Sequence, residues 1–204
     1  RSRRQRQMCI RDSYKWIHYI QFKSLTIENS SFENITDIIN NIDYIGLKPA
    51  PTDFFETTGW FGSNGGAIYN TGTFQIKTSS FNNVKSKAGG VIYNIGLGTI
   101  DNSTFNHINS TSGNGGTIYN TGQLIITTTN ISNSKSSNKG GAIYSEGKLN
   151  ISNTSIILSE GYYGGAIYNT GNINLWNSLI TQTKSTYNGN AIQNSGNMYL
   201  NNTT

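Results

Sequence analysis

Side chains that could act as acids, bases or metal ligands are few in this chain of 204 residues. From residue 62 onward the carboxylates are Asp101, Glu146 and Glu160, the single histidine is His107, and the other bases are lysines. Glycoside hydrolysis needs two carboxylates facing each other at roughly 5 to 10 Å, and calcium sites need several clustered acids. These carboxylates are scattered, and His107 is expected on a turn or on the surface. We therefore predict no catalytic residue, no metal site, no cofactor and no enzymatic activity.

The positive charge of the chain is confined to its beginning. The formal net charge is +5, but all the arginines lie within residues 1–11, together with Cys9, the only cysteine. Residues 7–13 resemble the translation of a transposon end used to prepare DNA for sequencing, so residues 1–13 are interpreted as a disordered adaptor artefact. A nucleic-acid or anionic-lipid arm and a plain solvated terminus are the alternatives. The remaining chain is nearly neutral, and no nucleic acid is expected as a partner.

A repeat runs through the chain from residue 65 onward, with a nearly constant period of about 25 residues. Its blocks are Gly65–Asn70, Gly89–Asn94, Gly115–Asn120, Gly140–Ser145, Gly164–Asn169 and Gly189–Asn194. A second aliphatic residue stands eight positions after the isoleucine of each block. In the first five blocks, a Phe or Ile stands five positions after that second aliphatic residue. Such strict internal spacing predicts one supersecondary unit per repeat.

Apolar and polar residues alternate within each repeat, as in Ile173-Asn174-Leu175. A period of two is typical of β-strands, and glycine, asparagine and serine separate the segments. Each repeat is therefore predicted to hold two strands and a third after the Phe or Ile position. Because successive repeats are equivalent, winding the chain into coils pairs each strand with its counterpart in the next coil. We predict an all-β parallel β-helix, a solenoid with coils of about 25 residues.

The alignment of the repeats assigns each position to the inside or the outside. The isoleucine never changes and is expected to point inward, which places the residues before and after it outward. The asparagine two positions later, such as Asn94, is expected to bond its amide to those of neighbouring coils. Gly65 and its equivalents are expected to adopt positive φ or to allow a close approach of coils.

The residues after the isoleucines are tyrosines in five coils, and these form the candidate ligand or partner surface: Tyr69, Tyr93, Tyr119, Tyr144 and Tyr168. An outward row of aromatic rings suits sugar rings or a partner protein. The alternative is that the stacked rings only stabilise the sheet.

The repeat is degenerate upstream of residue 65. Residues 25–35 fit the second half of a repeat, and Ile27 lies two periods before Ile76. A degenerate coil or a loop insertion is therefore predicted at 37–64, where Pro49 and Pro51 interrupt a strand. Residues 14–204 are expected to form an incomplete β-helix whose C-terminus is truncated.

Four aromatic residues are concentrated in the degenerate segment. Phe54, Phe55, Trp60 and Phe61 form a secondary candidate loop. We expect this loop either to pack as a plug on the wall of the helix or to bind a ligand.

The repeated blocks also carry a family resemblance. Gly-Gly-Ala-Ile at 65–68, 140–143 and 164–167, with Asn-Ser-Ser-Phe-like segments at 29–32 and 102–105, resembles the repeats of chlamydial polymorphic outer-membrane proteins. Still more closely, the blocks resemble GGAIYN-repeat adhesin-like surface proteins of methanogenic archaea and gut bacteria. The resemblance covers residues 24–36 and 65–204 and implies a right-handed parallel β-helix at the cell surface or secreted, with a role in adhesion. In place of the chlamydial Phe-x-x-Asn spacing, this sequence has Phe32-Glu33-Asn34 and Phe81-Asn82-Asn83.

These observations together predict a non-catalytic cell-surface adhesin-like repeat protein that acts as a stalk or binding surface. Its expected partners are host or neighbouring-cell glycans or surface proteins. No stretch approaches the roughly 18 apolar residues of a membrane span, so membrane association is expected only through an anchor missing from this sequence. The alternative is a fragment of a carbohydrate-active β-helix enzyme, such as a polysaccharide lyase or glycosidase, whose active site lies outside this chain.

Overall fold

The computed structural model describes residues 24–33 and 64–204, together with the backbone of Met8–Ile10. Their regular secondary structure consists of β-strands alone, and the strand pairs are parallel. None of these residues belongs to a helix able to cross a membrane. Equivalent strands of successive coils pair with one another and build three sheets, which the chain visits in the order I, II, III.

Sheet I contains the six short strands that begin at the isoleucines: Ile68–Asn70 (β4), Ile92–Asn94 (β7), Ile118–Asn120 (β10), Ile143–Ser145 (β13), Ile167–Asn169 (β17) and Ile192–Asn194 (β21). Sheet II contains Met8–Ile10 (β1), Ser24–Glu28 (β2), Thr73–Lys77 (β5), Leu97–Asp101 (β8), Gln123–Thr127 (β11), Lys148–Ser152 (β14), Asn172–Trp176 (β18) and Asn197–Asn201 (β22). Sheet III contains Ser31–Glu33 (β3), Ser80–Ser86 (β6), Thr104–Ser110 (β9), Asn130–Ser136 (β12), Ser155–Ile157 (β15) and Leu179–Thr181 (β19), and is extended by Glu160–Tyr163 (β16) and Lys184–Asn188 (β20).

The coils stack in register throughout sheets I and II, and in sheet III the register shifts only between β16 and β20, at Gly161 to Tyr163. In sheet I, Ile92 pairs with Ile68 on one side and Ile118 on the other. The aliphatic positions of sheet II and the Phe or Ile positions of sheet III pair in the same way. Neighbouring coils therefore lie about 4.8 Å apart, the ordinary spacing of paired strands. This arrangement confirms the predicted all-β parallel β-helix, with one repeat of the sequence in each coil.

The three inward positions fill the interior of the coils before the last, as predicted, whereas Leu200 in the last coil is 47% exposed. In one coil, Ile92, Ile100 and Phe105 are at most 1% exposed. Phe105 stacks on Phe81 of the preceding coil with ring centroids 5.0 Å apart. Full burial of one such side chain contributes about 1.5 to 3 kcal/mol to folding. The repeated inward residues are thus the main source of stability of the solenoid.

The residues that precede the isoleucines were predicted to face outward, and this prediction is wrong. Ala67 is 5% exposed, and Val91 and Thr117 are fully buried. The N–H groups of Ala67 and Ile68 both donate to the carbonyl oxygen of Val91, at 3.0 and 2.9 Å. Two consecutive N–H groups that point the same way require a bend in the chain, and the strict inside–outside alternation of an extended strand ends there. Both side chains consequently turn into the core.

The asparagine ladder was predicted correctly. Asn94 is fully buried, and its Nδ2 donates to Oδ1 of Asn120 at 2.7 Å. Oδ1 of Asn94 accepts a hydrogen bond from Nδ2 of Asn70, also at 2.7 Å. Each of these amides also donates to backbone carbonyls next to it, which joins adjacent coils inside the solenoid. Ser145 replaces asparagine in one coil, where its Oγ accepts from Asn120 at 3.1 Å.

Backbone conformations at two corners of each coil explain further repeated residues. The first glycine of every block has positive φ, from 56° to 73°, as predicted. A Cβ atom at Gly89 would lie 2.3 Å from the carbonyl oxygen of Ile92, so a larger residue would collide with the backbone. The corner between sheets II and III also has positive φ, here at non-glycine residues: Asn29, Thr78, Asn102, Thr128, Asn153, Asn177 and Asn202.

A ladder of buried hydroxyl groups follows that corner. Ser103 Oγ donates to the carbonyl oxygen of Asp101 at 2.8 Å and accepts the N–H of Ser79 at 3.2 Å. The same pattern recurs with Thr154 and Ser178. These hydroxyls satisfy backbone groups that the bend removes from the sheets. Within the described residues, every buried side-chain nitrogen and oxygen has a hydrogen-bond partner.

In sheet II, β2 is the direct neighbour of β5. Ile27 pairs directly with Ile76 although two sequence periods separate them, and β3 pairs directly with β6. The two sequence periods therefore span a single step along the solenoid, and the degenerate coil or loop insertion expected at 37–64 stays a prediction. Residues 34–63 themselves lie outside the described part of the chain.

The first residues of the chain show one paired segment. The backbone of Met8–Ile10 forms β1 and pairs in parallel with β2. At these three residues the structure differs from the disorder expected for 1–13. The adaptor origin of that segment stays a prediction.

Candidate functional site

The five tyrosines predicted as a binding surface stand in one row on the outer side of sheet I, and we call this row the tyrosine ladder. Their consecutive ring centroids are 5.2, 4.4, 4.8 and 5.6 Å apart. Three of these contacts are stacked, and the contact between Tyr119 and Tyr144 is tilted by 36°. Most of the tyrosines are half-buried, whereas Tyr144 is only 5% exposed. The register of the strands therefore brings all five residues together.

Stacking determines which part of each ring reaches solvent. A pyranose ring binds an aromatic side chain through the open face of the ring, but most faces in the tyrosine ladder are covered by the next tyrosine. The ladder consequently presents ring edges and phenol hydroxyls. This geometry does not match a strip of exposed faces for sugar rings. It matches instead a line of hydrogen-bond donors and acceptors, one per coil.

Glu146 lies beside the tyrosine ladder, in the turn after β13. Its Oε1 accepts hydrogen bonds from the hydroxyls of Tyr144, at 2.5 Å, and Tyr119, at 3.5 Å. Burial, and then the neighbouring Glu146 carboxylate, raises the pKa of the Tyr144 hydroxyl above its ordinary value. Burial is also the largest cause that raises the pKa values of Tyr69, Tyr93 and Tyr119. These phenols therefore remain protonated, and able to donate, throughout the neutral range.

The structure does not bring the three carboxylates after residue 62 together. Asp101 ends β8 in sheet II and accepts a hydrogen bond from Thr127 Oγ1 at 2.6 Å. Glu160, in sheet III, pairs with Lys135 at 3.2 Å. His107 is exposed at a positive-φ position of β9. Among residues 24–33 and 64–204, no three His, Cys, Asp or Glu side chains are grouped as a metal site would require.

The secondary candidate loop cannot be placed. Phe54, Phe55, Trp60 and Phe61 lie outside the described residues. The plug and the binding loop stay predictions.

A second group of aromatic residues was missed at the sequence level, and we call it the tyrosine cluster: Tyr162, Tyr163 and Tyr187. Tyr162 stacks on Tyr187 at 5.9 Å, and Tyr163 meets both rings edge-on. Tyr162 is 41% exposed and Tyr187 is 64% exposed. The signal in the sequence is that Tyr162 and Tyr187 lie one period apart, which places them in adjacent coils.

A row of lysines was missed for a different reason. Lys85, Lys135 and Lys184, which we call the lysine row, lie on the outer side of sheet III. The nearly neutral charge of the whole body conceals this local excess of positive charge. A spacing of two periods between successive lysines is the pattern that indicates the row in the sequence.

Comparison with known proteins gives no assignment. The chain matches no protein family, no curated protein and no solved structure.

Proposed function

We propose that this chain is a non-catalytic cell-surface adhesin-like repeat protein that acts as a stalk or binding surface. The observation that carries the proposal is the tyrosine ladder, which runs in register over five coils and presents phenol edges at every position except the buried Tyr144. A repeated row of identical groups on a parallel solenoid suits contact with a repetitive or extended partner. The proposed partners are host or neighbouring-cell glycans or surface proteins.

The positions of the acids support a role without catalysis. Asp101, Glu146 and Glu160 belong to three different parts of the coil, and each is engaged by a neighbouring hydroxyl or lysine. Opposed carboxylates are what a glycosidase needs. The proposed location, at the cell surface or outside the cell, rests on the resemblance of the repeated blocks alone.

An array of immobilised glycans tests the proposed binding role. The variant Tyr69→Phe/Tyr93→Phe/Tyr119→Phe keeps the stacked rings and removes three hydroxyls. We expect it to fold normally and to lose about tenfold or more in binding, because each lost hydrogen bond to a ligand is worth about 0.5 to 1.5 kcal/mol. Tyr199→Phe, on sheet II, is the control and should bind like the unaltered chain.

Two outcomes would change the proposal. Undiminished binding by the ladder variant would remove the ladder as the contact surface and leave the stalk role. Release of reducing or unsaturated sugars from the arrayed polysaccharides would contradict the non-catalytic role and favour the carbohydrate-active alternative.

A further inference from the structure

The lysine row lies on a single line along the solenoid. Lys85 pairs with Asn109, Asn109 with Lys135, Lys135 with Glu160, and Glu160 with Lys184. Successive lysines are therefore two coils, or about 10 Å, apart. All three are exposed. The row forms a line of cationic groups parallel to the solenoid axis, with one neutral amide and one carboxylate between them.

The strands of sheet III carry a small excess of positive charge, with the three lysines of the row against two acids. Lys87 and Lys139 lie in the turns that leave sheet III, and Nζ of Lys139 lies over the ring of Tyr168 in sheet I. The acids in the strands of sheet III are Glu33 and Glu160. In residues 64–204 only two other lysines occur, Lys77 and Lys148, and both belong to sheet II. Five of the seven lysines in residues 64–204 therefore lie in sheet III or in the turns that leave it.

Glu160 is the one carboxylate inside the row. Its Oε2 lies 3.2 Å from Nζ of Lys135, and the two side chains are 42% and 58% exposed, respectively. An exposed pair of this kind contributes little to stability. The carboxylate does, however, bind the ammonium group of Lys135, the central lysine of the row. An anionic ligand that binds there has to displace Glu160 or share Lys135 with it.

The tyrosine cluster adjoins the lysine row. Tyr162 and Tyr163 follow Glu160 on β16, and Tyr187 follows Lys184 on β20. Lys139 Nζ lies 4.7 Å from the ring centroid of Tyr168, and that ring meets Tyr163 edge-on. Unlike most rings of the tyrosine ladder, Tyr162 and Tyr187 are more than two fifths exposed. Exposed aromatic rings beside ammonium groups suit a ligand with apolar sugar faces and anionic substituents.

We propose that the lysine row and the tyrosine cluster bind a linear anionic polysaccharide laid along the solenoid axis. This proposal rests on the proposed function, that the chain is a binding surface, but it assigns the binding to sheet III and not to the tyrosine ladder. Lysines bind the carboxylate or sulfate groups of the polysaccharide, and the tyrosines pack against its pyranose rings. A nucleic acid fits less well, because phosphate recognition favours bidentate arginine and residues 12–204 contain no arginine.

The test measures affinity for sodium polygalacturonate by gel electrophoresis, with its fully methyl-esterified form as the neutral probe. The variant Lys85→Gln/Lys135→Gln should bind polygalacturonate about tenfold more weakly, since each lysine near an anionic surface is worth about fivefold before screening. Lys77→Gln/Lys148→Gln removes the same charge from sheet II and is the matched control, with affinity within about twofold of the unaltered chain. Heparin, which carries sulfate groups in addition to carboxylates, in place of polygalacturonate tests whether sulfate strengthens binding.

A gain in affinity provides a second, independent readout. Glu160→Gln frees Lys135 and removes a repelling carboxylate, so it should strengthen polygalacturonate binding severalfold. Tyr162→Ala should weaken binding also at high salt, where lysine contacts are screened. A folding defect would not produce the gain at Glu160.

Several results would overturn the inference. These are equal weakening by the two lysine variants, equal binding of the methyl-esterified polymer, or a DNA oligonucleotide bound as tightly as polygalacturonate. If the unaltered chain binds arrayed glycans through the tyrosine ladder but not polygalacturonate or heparin, this inference fails and the proposed function stands. If polygalacturonate binds through the lysine row and is then shortened, the proposed function fails and the binding site stands.

Discussion

Replacing Asn94 by alanine should weaken the solenoid more than any exposed substitution, because this side chain joins three successive coils. Its amide donates to Asn120 Oδ1 at 2.7 Å and to the carbonyl oxygens of Gly96 and Gln123, each at 3.2 Å. Its own oxygen accepts from Asn70 at 2.7 Å. No solvent reaches it in the folded protein, since Asn94 and Asn120 are both 0% exposed.

The expected loss of unfolding free energy follows from the groups that lose a hydrogen-bond partner. Asn70 Nδ2 keeps the carbonyl oxygens of Gly72 and Leu97 as acceptors. Asn120 Oδ1, however, loses the donor that Asn94 provides and stays buried, which costs about 1 to 3 kcal/mol. The space left by the removed amide adds about 1 kcal/mol. We expect Asn94→Ala to lower the free energy of unfolding by about 2 to 4 kcal/mol.

Urea unfolding followed by circular dichroism measures this loss, and two variants calibrate it. Asn94→Ser reproduces the serine that the chain already carries at Ser145, and it should cost about half as much because one hydroxyl remains. Asn82→Ala removes an amide from the outer row of sheet III, where it accepts one long hydrogen bond of 3.4 Å from Asn106. This control should cost less than about 0.5 kcal/mol.

Equal unfolding free energies for Asn94→Ala and Asn82→Ala would contradict a stabilising role of the buried amide ladder. They would mean that the buried amides fill space but do not hold the coils together. A cost for Asn94→Ser as large as that for alanine would likewise contradict the equivalence with Ser145.

Three further predictions concern the corners and the tyrosine ladder. Gly89→Ala should cost about 2 to 3 kcal/mol in urea unfolding, since its φ of 56° and the Ile92 carbonyl leave no room for Cβ; a loss below about 0.5 kcal/mol would contradict this. Ser103→Ala should cost about 1 to 2 kcal/mol, and Ser103→Thr should restore stability; an equal loss in both variants would contradict the hydroxyl ladder. The raised pKa values of Tyr119 and Tyr144 mean that tyrosinate is disfavoured in the folded state. The free energy of unfolding therefore keeps its full value up to about pH 10 and decreases at higher pH. Replacing both residues by phenylalanine should reduce that decrease, which urea unfolding at a series of alkaline pH values measures.

Repetition made the interior of this protein predictable. Ile92 and Asn94 lie at positions that recur in every coil. The repeat pattern alone was therefore enough to predict that the Ile92 side chain points inward and that the Asn94 amide pairs with those of neighbouring coils. The outward assignment of Val91 failed because alternation holds only in extended strands, whereas the shared carbonyl acceptor bends the chain at that position. The sequence contained no sign of that bend other than the small or β-branched residues found there.

Surface properties were less predictable because they depend on neighbouring coils. The tyrosine ladder was expected from spacing, but the covering of one ring by the next depends on the distance between coils. Ile27 and Ile76 are two periods apart in the sequence. This separation fits either direct pairing in adjacent coils or the presence of one coil between them, so the sequence did not predict the direct pairing. The lysine row emerged only after the strands were placed in register, which aligned side chains that lie two periods apart in the sequence.

Size-exclusion chromatography with light scattering tests the central claim, that this solenoid binds an extended partner without chemically changing it. Polygalacturonate would be incubated with the purified chain and its molar mass and elution compared with those of the polymer alone. We expect the protein to co-elute with polymer of undiminished molar mass. A fall in the molar mass of the polymer would contradict the central claim.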